Sequence, residues 1–186
     1  MILAKVDDHQ KMILRAGEWC FTSTRKCASN TLYETLPGQK MGMHKRAETR
    51  LAPLHFTVVR SPYTRAASLW GSTCLRGHDN YGAVAEIINH GGSPKDFRDF
   101  CKYILGGDHI SSRSPWLFCN QSDWHKGQII DEFVKLEELP DALTPIIGER
   151  LDLPILNSSK KKPIYTEETC ELIREWAEDD FTKYYD

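Results

Sequence analysis

Two short segments of this chain carry cationic, hydroxyl-bearing and small residues at a spacing that suits the binding of phosphate groups. The first, residues 24–31, reads TRKCASNT and lies between an apolar run and a helical one. The second, residues 56–68, reads FTVVRSPYTRAAS and likewise passes from an apolar run into a helical one. In open α/β sheets, ligands gather at the carboxyl ends of strands, where helix N-termini present unpaired backbone N–H groups. Both segments therefore predict an anion site at that edge.

The first segment places two cations, Arg25 and Lys26, just before a helix. A helix N-terminus favours anions because its N–H groups are unpaired and the helix dipole is positive there. However, the glycines of the G-x-x-x-x-G-K-[ST] phosphate loop are missing, and Lys26 comes early in the segment. This argues against an ordinary nucleoside-triphosphate hydrolase. Taken alone, the segment also fits a capped helix start with solvated cations.

The second segment is the more specific of the two. Its strand ends in Arg60, Pro62 follows, and Arg65 and Ser68 lie further along the helical run. This V-R-x-P-x-x-R-x-x-S pattern resembles the 3′-phosphate-binding segment of sulfotransferases, which use 3′-phosphoadenosine 5′-phosphosulfate as donor. Arg65 is interpreted as mainly structural.

The first segment is then similar to the 5′-phosphosulfate segment of the same family, in which a lysine, small residues and a hydroxyl residue precede a helix. Lys26, Ala28 and Thr31 fit that pattern. The family more usually has proline, threonine, glycine and threonine at the positions of Arg25, Cys27, Ser29 and Asn30. Residues 119–124, 133–139 and 157–163 also follow in the family's order. The resemblance covers most of the chain from Trp19 onward and is closest to carbohydrate-directed members.

The resemblance implies a role for each matched residue. Arg60 and Ser68 would hold the 3′-phosphate, since a guanidinium grips phosphate oxygens with two parallel hydrogen bonds. Lys26 would be catalytic, because a cation there stabilises the charge that builds on the bridging oxygen as the sulfur–oxygen bond breaks. Lys161 either matches the family's late basic loop over the donor or is a solvated loop residue. The predicted donor-binding residues of the first segment are Arg25, Lys26, Cys27, Ala28, Ser29, Asn30 and Thr31.

His44 is the predicted general base. An acceptor hydroxyl is a poor nucleophile at neutral pH, and a positioned base contributes about 10²–10⁴-fold. His44 lies between the first helix and the strand that ends in Arg60, where related sulfotransferases often carry a base. Glu48 is the alternative, since some family members use a carboxylate. By contrast, His55 lies inside an apparent buried strand and is expected to be a structural histidine, and His125 is a minor candidate.

The elements that must position these residues alternate along the chain. This alternation predicts an α/β fold with a mostly parallel central sheet flanked by helices. The resemblance implies a three-layer arrangement like that of P-loop NTPases. A chain of 186 residues suits one core, so a single domain over 1–186 is expected.

The sequence predicts the following elements. Predicted strands lie at 18–22, 54–59 and 129–136, and predicted helices lie at 30–36, 63–75, 82–89, 94–105, 138–151 and 166–184. The segment before residue 17 is predicted to be a helix or a hairpin, and the segment 108–127 is predicted to be an irregular aromatic loop.

The composition limits the kinds of partner that the chain is expected to bind. The net charge of −2 gives no general attraction to nucleic acid or to an anionic membrane. The six cysteines are scattered without metal-ligand spacing, so no metal is expected and the thiols are expected to be reduced. The N-terminal residues turn acidic too early for a signal peptide, which predicts a cytoplasmic location.

The sequence therefore predicts transfer of a sulfuryl group from 3′-phosphoadenosine 5′-phosphosulfate to a hydroxyl, or as second choice an amine, of an acceptor that includes carbohydrates as a candidate. The nucleotide product would be adenosine 3′,5′-bisphosphate, and no metal would be required. One alternative is a nucleotide or nucleoside kinase-like P-loop enzyme, whose magnesium-binding residues are not identifiable here. The other is a catalytically inactive nucleotide-binding module, which the unusual 5′ segment keeps open. The acceptor and the oligomeric state are not predicted.

Overall fold

A computed structural model of the chain describes residues 12–15, 17–41, 48–76, 82–107, 115–154 and 161–186. The chain divides into two compact units, each built from two separate stretches. The first unit comprises Met1–Arg60 and Gln121–Asn157, and the second comprises Ser61–Asn120 and Ser158–Asp186. A single domain over the whole chain stays a prediction.

Within the described residues, the first unit contains a five-stranded mixed sheet with the strand order β3-β1-β2-β4-β5. Strand β4 runs parallel to β2 and to β5, whereas β1 runs antiparallel to β2 and to β3. The α/β class is confirmed, but the sheet is mixed rather than mostly parallel. The three-layer, P-loop-like arrangement stays a prediction. The strands are β1 (Met12–Arg15), β2 (Trp19–Thr22), β3 (Gln39–Met41), β4 (Leu54–Val59) and β5 (Glu132–Lys135).

The antiparallel part of the sheet comes from a hairpin and a short edge strand. Strands β1 and β2 are joined by a tight turn in which Glu18 N–H donates to Arg15 O at 3.0 Å and Gly17 adopts a φ of 82°. Glycine suits this left-handed conformation because it has no Cβ. The sequence left open whether this segment is a helix or a hairpin, and it did not predict β3 at all.

The helices follow the predicted order with three differences in extent. In chain order they are α1 (Ser29–Thr35), α2 (Pro62–Trp70), α3 (Ala83–Asn89), α4 (Phe97–Phe100), α5 (Pro115–Phe118), α6 (Gln121–His125), α7 (Thr144–Ile147), α8 (Glu167–Trp176) and α9 (Glu178–Tyr184). Two π-helical turns, Gly71–Leu75 and Cys101–Leu105, extend α2 and α4. None of the helices in the described ranges has both the length and the hydrophobicity to cross a bilayer.

The three differences have local causes. The helix predicted over 138–151 is wrong: two 3₁₀ turns and the short α7 stand there, because Pro140 and Pro145 lack N–H donors and Gly148, at a φ of 87°, ends the run. The helix predicted over 166–184 is divided at Ala177 into α8 and α9. The loop predicted over 108–127 contains α5 and α6, so that prediction is wrong for the second half of the segment.

The core of the first unit lies around the middle strands. His55 to Val59 of β4 are all buried, which agrees with the nearly continuous apolar run that predicted a strand covered on both faces. Phe56 contacts Trp19 edge-on at 5.5 Å between ring centroids and Phe21 at 5.3 Å. These aromatic contacts join β2 to β4 and fix the parallel pair that ends in the two predicted anion segments.

The second unit has its own helical core around Trp70, Phe100 and Ile173. Arg65 is buried within it: the guanidinium donates from Nη2 to Cys119 O at 2.8 Å and lies 5.2 Å from the centroid of the Trp176 ring. Burial of a guanidinium requires such partners, because an unpaired charge in the interior is very costly. These contacts support the interpretation of Arg65 as a structural residue.

A polar latch formed by Arg50, His55 and Asp131 fixes the start of β4. The Arg50 guanidinium donates to both Asp131 carboxylate oxygens at 2.9 and 2.8 Å, and His55 N–H donates to Oδ2 at 2.7 Å. The His55 ring accepts through Nε2 from the backbone N–H groups of Leu51 and Ala52, so the ring is neutral and its proton is on Nδ1. His55 is completely buried and bonded through Nε2, as expected of a structural histidine, whereas its Nδ1 has no hydrogen-bond partner among the described residues.

The latch shifts the pKa values of its two titratable side chains. Hydrogen bonds from Arg50 and from the His55 backbone lower the pKa of Asp131 to about 2. Burial and the nearby Arg50 charge lower the pKa of His55. Both shifts favour the forms present at neutral pH, so the latch stabilises the fold at neutral pH and weakens in acid.

We expect Asp131→Asn to remove an acid-sensitive part of the stability. The folded-state pKa of Asp131 lies below its ordinary value of about 3.9. Its contribution is therefore fully present above pH 4 and is lost as the pH falls toward 2. Urea unfolding between pH 2 and 7 should show curves for wild type and variant that separate above pH 4 and converge toward pH 2. The control is Asp141→Asn, which removes an exposed ion pair with Arg150. Curves that stay parallel over this range would contradict the assignment.

Candidate anion-binding site

The carboxyl ends of β2 and β4 lie side by side. In this parallel pair Thr22, the last residue of β2, is opposite Thr57, and β4 continues to Val59. The loop 23–28 leaves the sheet from β2, and Arg60 follows β4 directly. The two segments that the sequence predicted to bind anions therefore begin at one edge of the sheet.

Arg60 contacts the loop that carries Lys26. Its guanidinium donates from Nη1 to the Lys26 carbonyl oxygen at 3.1 Å. Both residues are half-buried. The interaction joins the side chain after β4 to the backbone after β2, so the two predicted cationic segments converge within the first unit.

The loop has an unusual backbone. Lys26 and Ala28 adopt φ angles of 65° and 56°, and no other non-glycine residue in the described ranges has a positive φ. The sign of φ therefore alternates along residues 25–28. Alternating φ signs are one feature of the backbone concavities that bind anions. In this loop the Cys27 N–H is already engaged, since it donates to Thr24 O. The loop reaches this conformation without the glycines that usually supply it, at a cost of about 1–2 kcal/mol per residue.

The other predicted residues of this loop differ in exposure. Cys27 and Thr31 are buried, Arg25 and Ser29 are half-buried, and Asn30 is exposed. The Cys27 N–H donates to Thr24 O at 3.3 Å and closes a turn. Ala28 is the N-cap residue of α1, and its carbonyl accepts from Leu32 N–H at 3.0 Å.

Gln121 connects the end of β4 to the loop and was not among the predicted site residues. Its Nε2 donates to Arg60 O at 2.9 Å, and its Oε1 accepts from Arg60 N–H at 2.8 Å and from the Cys27 thiol at 3.1 Å. The side chain is completely buried. The pair of bonds to one residue continues the hydrogen-bonding pattern of a strand beyond the end of β4.

A buried chain of hydrogen bonds lies beneath the loop. The Thr57 hydroxyl donates to Thr22 O at 2.7 Å, so its oxygen accepts from Thr24 Oγ1 at 2.9 Å. With the Thr24 proton used in this way, His125 Nε2, at 2.6 Å, must be the donor to Thr24 Oγ1. The proton of a neutral His125 is therefore on Nε2, and every hydrogen bond in the chain points toward the sheet.

Ser68 and Lys161 belong to the second unit. Ser68 is half-buried on α2. The ammonium of Lys161 donates to Lys95 O at 2.5 Å and lies 5.2 Å from the centroid of the Trp70 ring. Lys161 is thus exposed but not simply solvated, because its side chain packs on an aromatic face.

The predicted base falls outside this description. His44 lies in the segment 42–47, which is not among the described residues. Glu48, the alternative, is described and exposed. The choice between them stays as the sequence left it.

Gln121 is not predictable from local sequence patterns, and His125 was only a minor candidate. Gln121 reaches Arg60 and Cys27 across 61 and 94 positions of the chain, a relation that local patterns do not contain. The one available signal is the spacing of Gln121, Trp124 and His125, which places polar tips on one face of a short helix. That signal was missed because the segment was interpreted as an irregular loop.

Comparison with known proteins adds no relative to this picture: the chain matches no family model, no curated protein and no solved structure. The assignment of function therefore depends on the quoted motifs and on the geometry of the first unit.

We expect Thr57→Val to destabilise the fold by about 1–3 kcal/mol, the range for a buried polar group left without its partner. Valine keeps the shape of threonine, but it removes both the donor to Thr22 O and the acceptor for Thr24. The free energy of unfolding in urea measures the loss. Thr182→Val, at an exposed position on α9, is the matched control and should change stability by less than about 0.5 kcal/mol. Equal effects of the two substitutions would contradict the hydrogen-bond chain.

Proposed function

We propose that this chain is a sulfotransferase that moves a sulfuryl group from 3′-phosphoadenosine 5′-phosphosulfate to an acceptor hydroxyl, with carbohydrates as the first acceptor class to test. The observation that carries the proposal is the contact between the Arg60 guanidinium and the Lys26 carbonyl, at 3.1 Å. It brings together the two segments whose motifs resemble the donor-binding segments of that family.

The donor explains why two cationic segments would meet. It carries a 3′-phosphate on the ribose and a phosphosulfate at the 5′ position, so its negative charge is concentrated at two points of one nucleotide. Arg60 suits one point, because a planar guanidinium can bind phosphate oxygens with two parallel hydrogen bonds. The loop around Lys26 suits the other, because it carries two cations, Arg25 and Lys26, and leaves the sheet at the end of β2, beside Arg60.

The fold proposed for this function is the P-loop-like arrangement that the resemblance implies. The parallel strands β2, β4 and β5 and the loop that follows β2 support it. Ser68 and Lys161 are retained as proposed donor contacts on the strength of the resemblance alone.

In the proposed transfer step, one bond to sulfur forms and one bond to sulfur breaks. The acceptor oxygen forms a bond to sulfur, and the bond between sulfur and the bridging oxygen breaks. The electron pair of that bond stays on the 5′-phosphate of the product, adenosine 3′,5′-bisphosphate, and the acceptor proton goes to the base. Lys26 would stabilise the charge that develops on the bridging oxygen, which lowers the barrier because this charge is largest in the transition state.

Calorimetric titration of the chain with adenosine 3′,5′-bisphosphate is the direct test. We expect binding that does not require magnesium and that exceeds the binding of ATP and ADP. A magnesium-dependent preference for ATP would contradict the proposal and favour a kinase-like enzyme. Binding of the bisphosphate with no transfer of labelled sulfate to any of a panel of glycans, lipids and small alcohols would favour the inactive binding module.

Arg60→Ala should weaken bisphosphate binding by about 2–5 kcal/mol, which corresponds to a rise in Kd of about 30-fold to several thousand-fold. Arg60→Lys should lie between wild type and alanine, because it keeps the charge and loses the planar fork. Arg150→Ala, which removes an exposed arginine of the same unit, controls for net charge. Unchanged affinity in Arg60→Ala would remove this residue from the site.

His44→Ala should lower turnover by about 10²–10⁴-fold, the contribution of a general base, while bisphosphate affinity stays close to that of wild type. Sulfate transfer under saturating donor measures the first quantity and calorimetry the second. Glu48→Gln is the matched variant. If turnover falls in Glu48→Gln and not in His44→Ala, the carboxylate is the base.

A further inference from the structure

We propose that Gln121 is a positioning residue that fixes Arg60 relative to the Lys26 loop and thereby sets the preference of the site for nucleotides that carry phosphate at both the 3′ and 5′ positions. This inference rests on the proposed function. Its basis is that one buried carboxamide bonds to both sides of the site: Arg60 N–H and C=O at 2.8 and 2.9 Å, and the Cys27 thiol at 3.1 Å.

The chemistry of the carboxamide matches these three partners. Arg60 offers one donor and one acceptor on its backbone, and only a side chain with both an N–H and an oxygen can satisfy them together. The same oxygen has a second lone pair, which accepts from the thiol of Cys27. A carboxylate would face the Arg60 carbonyl with an acceptor, and an apolar side chain would leave both backbone groups without a partner, so a carboxamide suits this position.

Gln121 acts from a helix that is itself held against the loop. One turn after Gln121, the Trp124 indole N–H donates to Ser23 O at 3.3 Å, and His125 Nε2 donates to Thr24 Oγ1 at 2.6 Å. These residues stand at positions i, i+3 and i+4 and therefore occupy one face of α6. Three side chains of a five-residue helix thus contact three residues of the loop.

The three side chains of α6 differ in the parts of the site to which they bond. Trp124 and His125 bond to the start of the loop, whereas Gln121 bonds both to the loop and to Arg60. A change at His125 should therefore disturb only the side of the site that faces the 5′ group. A change at Gln121 should alter the distance between Arg60 and the Lys26 loop. A nucleotide with phosphates at both the 3′ and 5′ positions depends on this distance, whereas a 5′-monophosphate does not.

The test compares the affinities of adenosine 3′,5′-bisphosphate and adenosine 5′-monophosphate, measured by calorimetry on the full chain. We expect wild type to prefer the bisphosphate, and Gln121→Glu and Gln121→Met to reduce the ratio of the two affinities by at least tenfold. His125→Asn is the matched control: it should weaken both nucleotides by a similar factor and leave the ratio unchanged. A residue with only a structural role would lower the melting temperature without changing this ratio.

The outcomes separate the two proposals. An unchanged ratio in a Gln121 variant that melts cooperatively overturns the role of Gln121 and leaves the proposed function intact. A wild-type chain that does not prefer the bisphosphate overturns both. If Gln121→Met does not fold, Gln121→Asn is the second variant, since it keeps the carboxamide and shortens its reach by one methylene; it should reduce the ratio, and an undiminished ratio in that variant counts against the proposal.

Discussion

Parallel pairing of β2 with β4 is the constraint on which the candidate site depends. Because Thr22 is opposite Thr57, the loop after β2 and Arg60 after β4 start from the same edge. The pairing is held from within by the contacts of Phe56 with its aromatic neighbours and by the Thr57 hydroxyl, which donates to Thr22 O across the two strands. A slip of this register would separate the two cationic segments before any side chain could compensate.

Sequence reasoning was successful where the determining pattern is local. The apolar run of β4 and the proline after it define a strand and a helix start, and both are found in the structure. It was less successful where the outcome depends on distant partners. The sequence left the antiparallel hairpin open as one of two alternatives and did not predict the edge strand β3, since short strands carry little periodicity. Gln121 was missed because its hydrogen-bond partners, Arg60 and Cys27, are distant in the sequence.

In the first unit, the two ends of β4 carry different arrangements of polar side chains. At the start of β4, Arg50, His55 and Asp131 are bonded to one another and to neighbouring backbone, and these bonds stabilise the strand. At the other end of the same strand, Arg60 donates to a loop in which Lys26 and Ala28 have left-handed backbone conformations. Strained backbone persists only where the surroundings determine it fully, and it concentrates at sites that bind or react. This contrast within one strand is the reason that the proposed ligand site is placed at the end of β4 and not at its start.

The two left-handed residues of the loop have a consequence for how it meets a ligand. A glycine at either position would allow the loop many backbone conformations. Restricting them on binding would cost conformational entropy and so reduce the affinity. Lysine and alanine have fewer backbone conformations open to them than glycine has, and the hydrogen bonds from α6 to Ser23, Thr24 and Cys27 hold the same loop. The backbone of this loop is therefore more restricted than that of a glycine-rich loop of the same length.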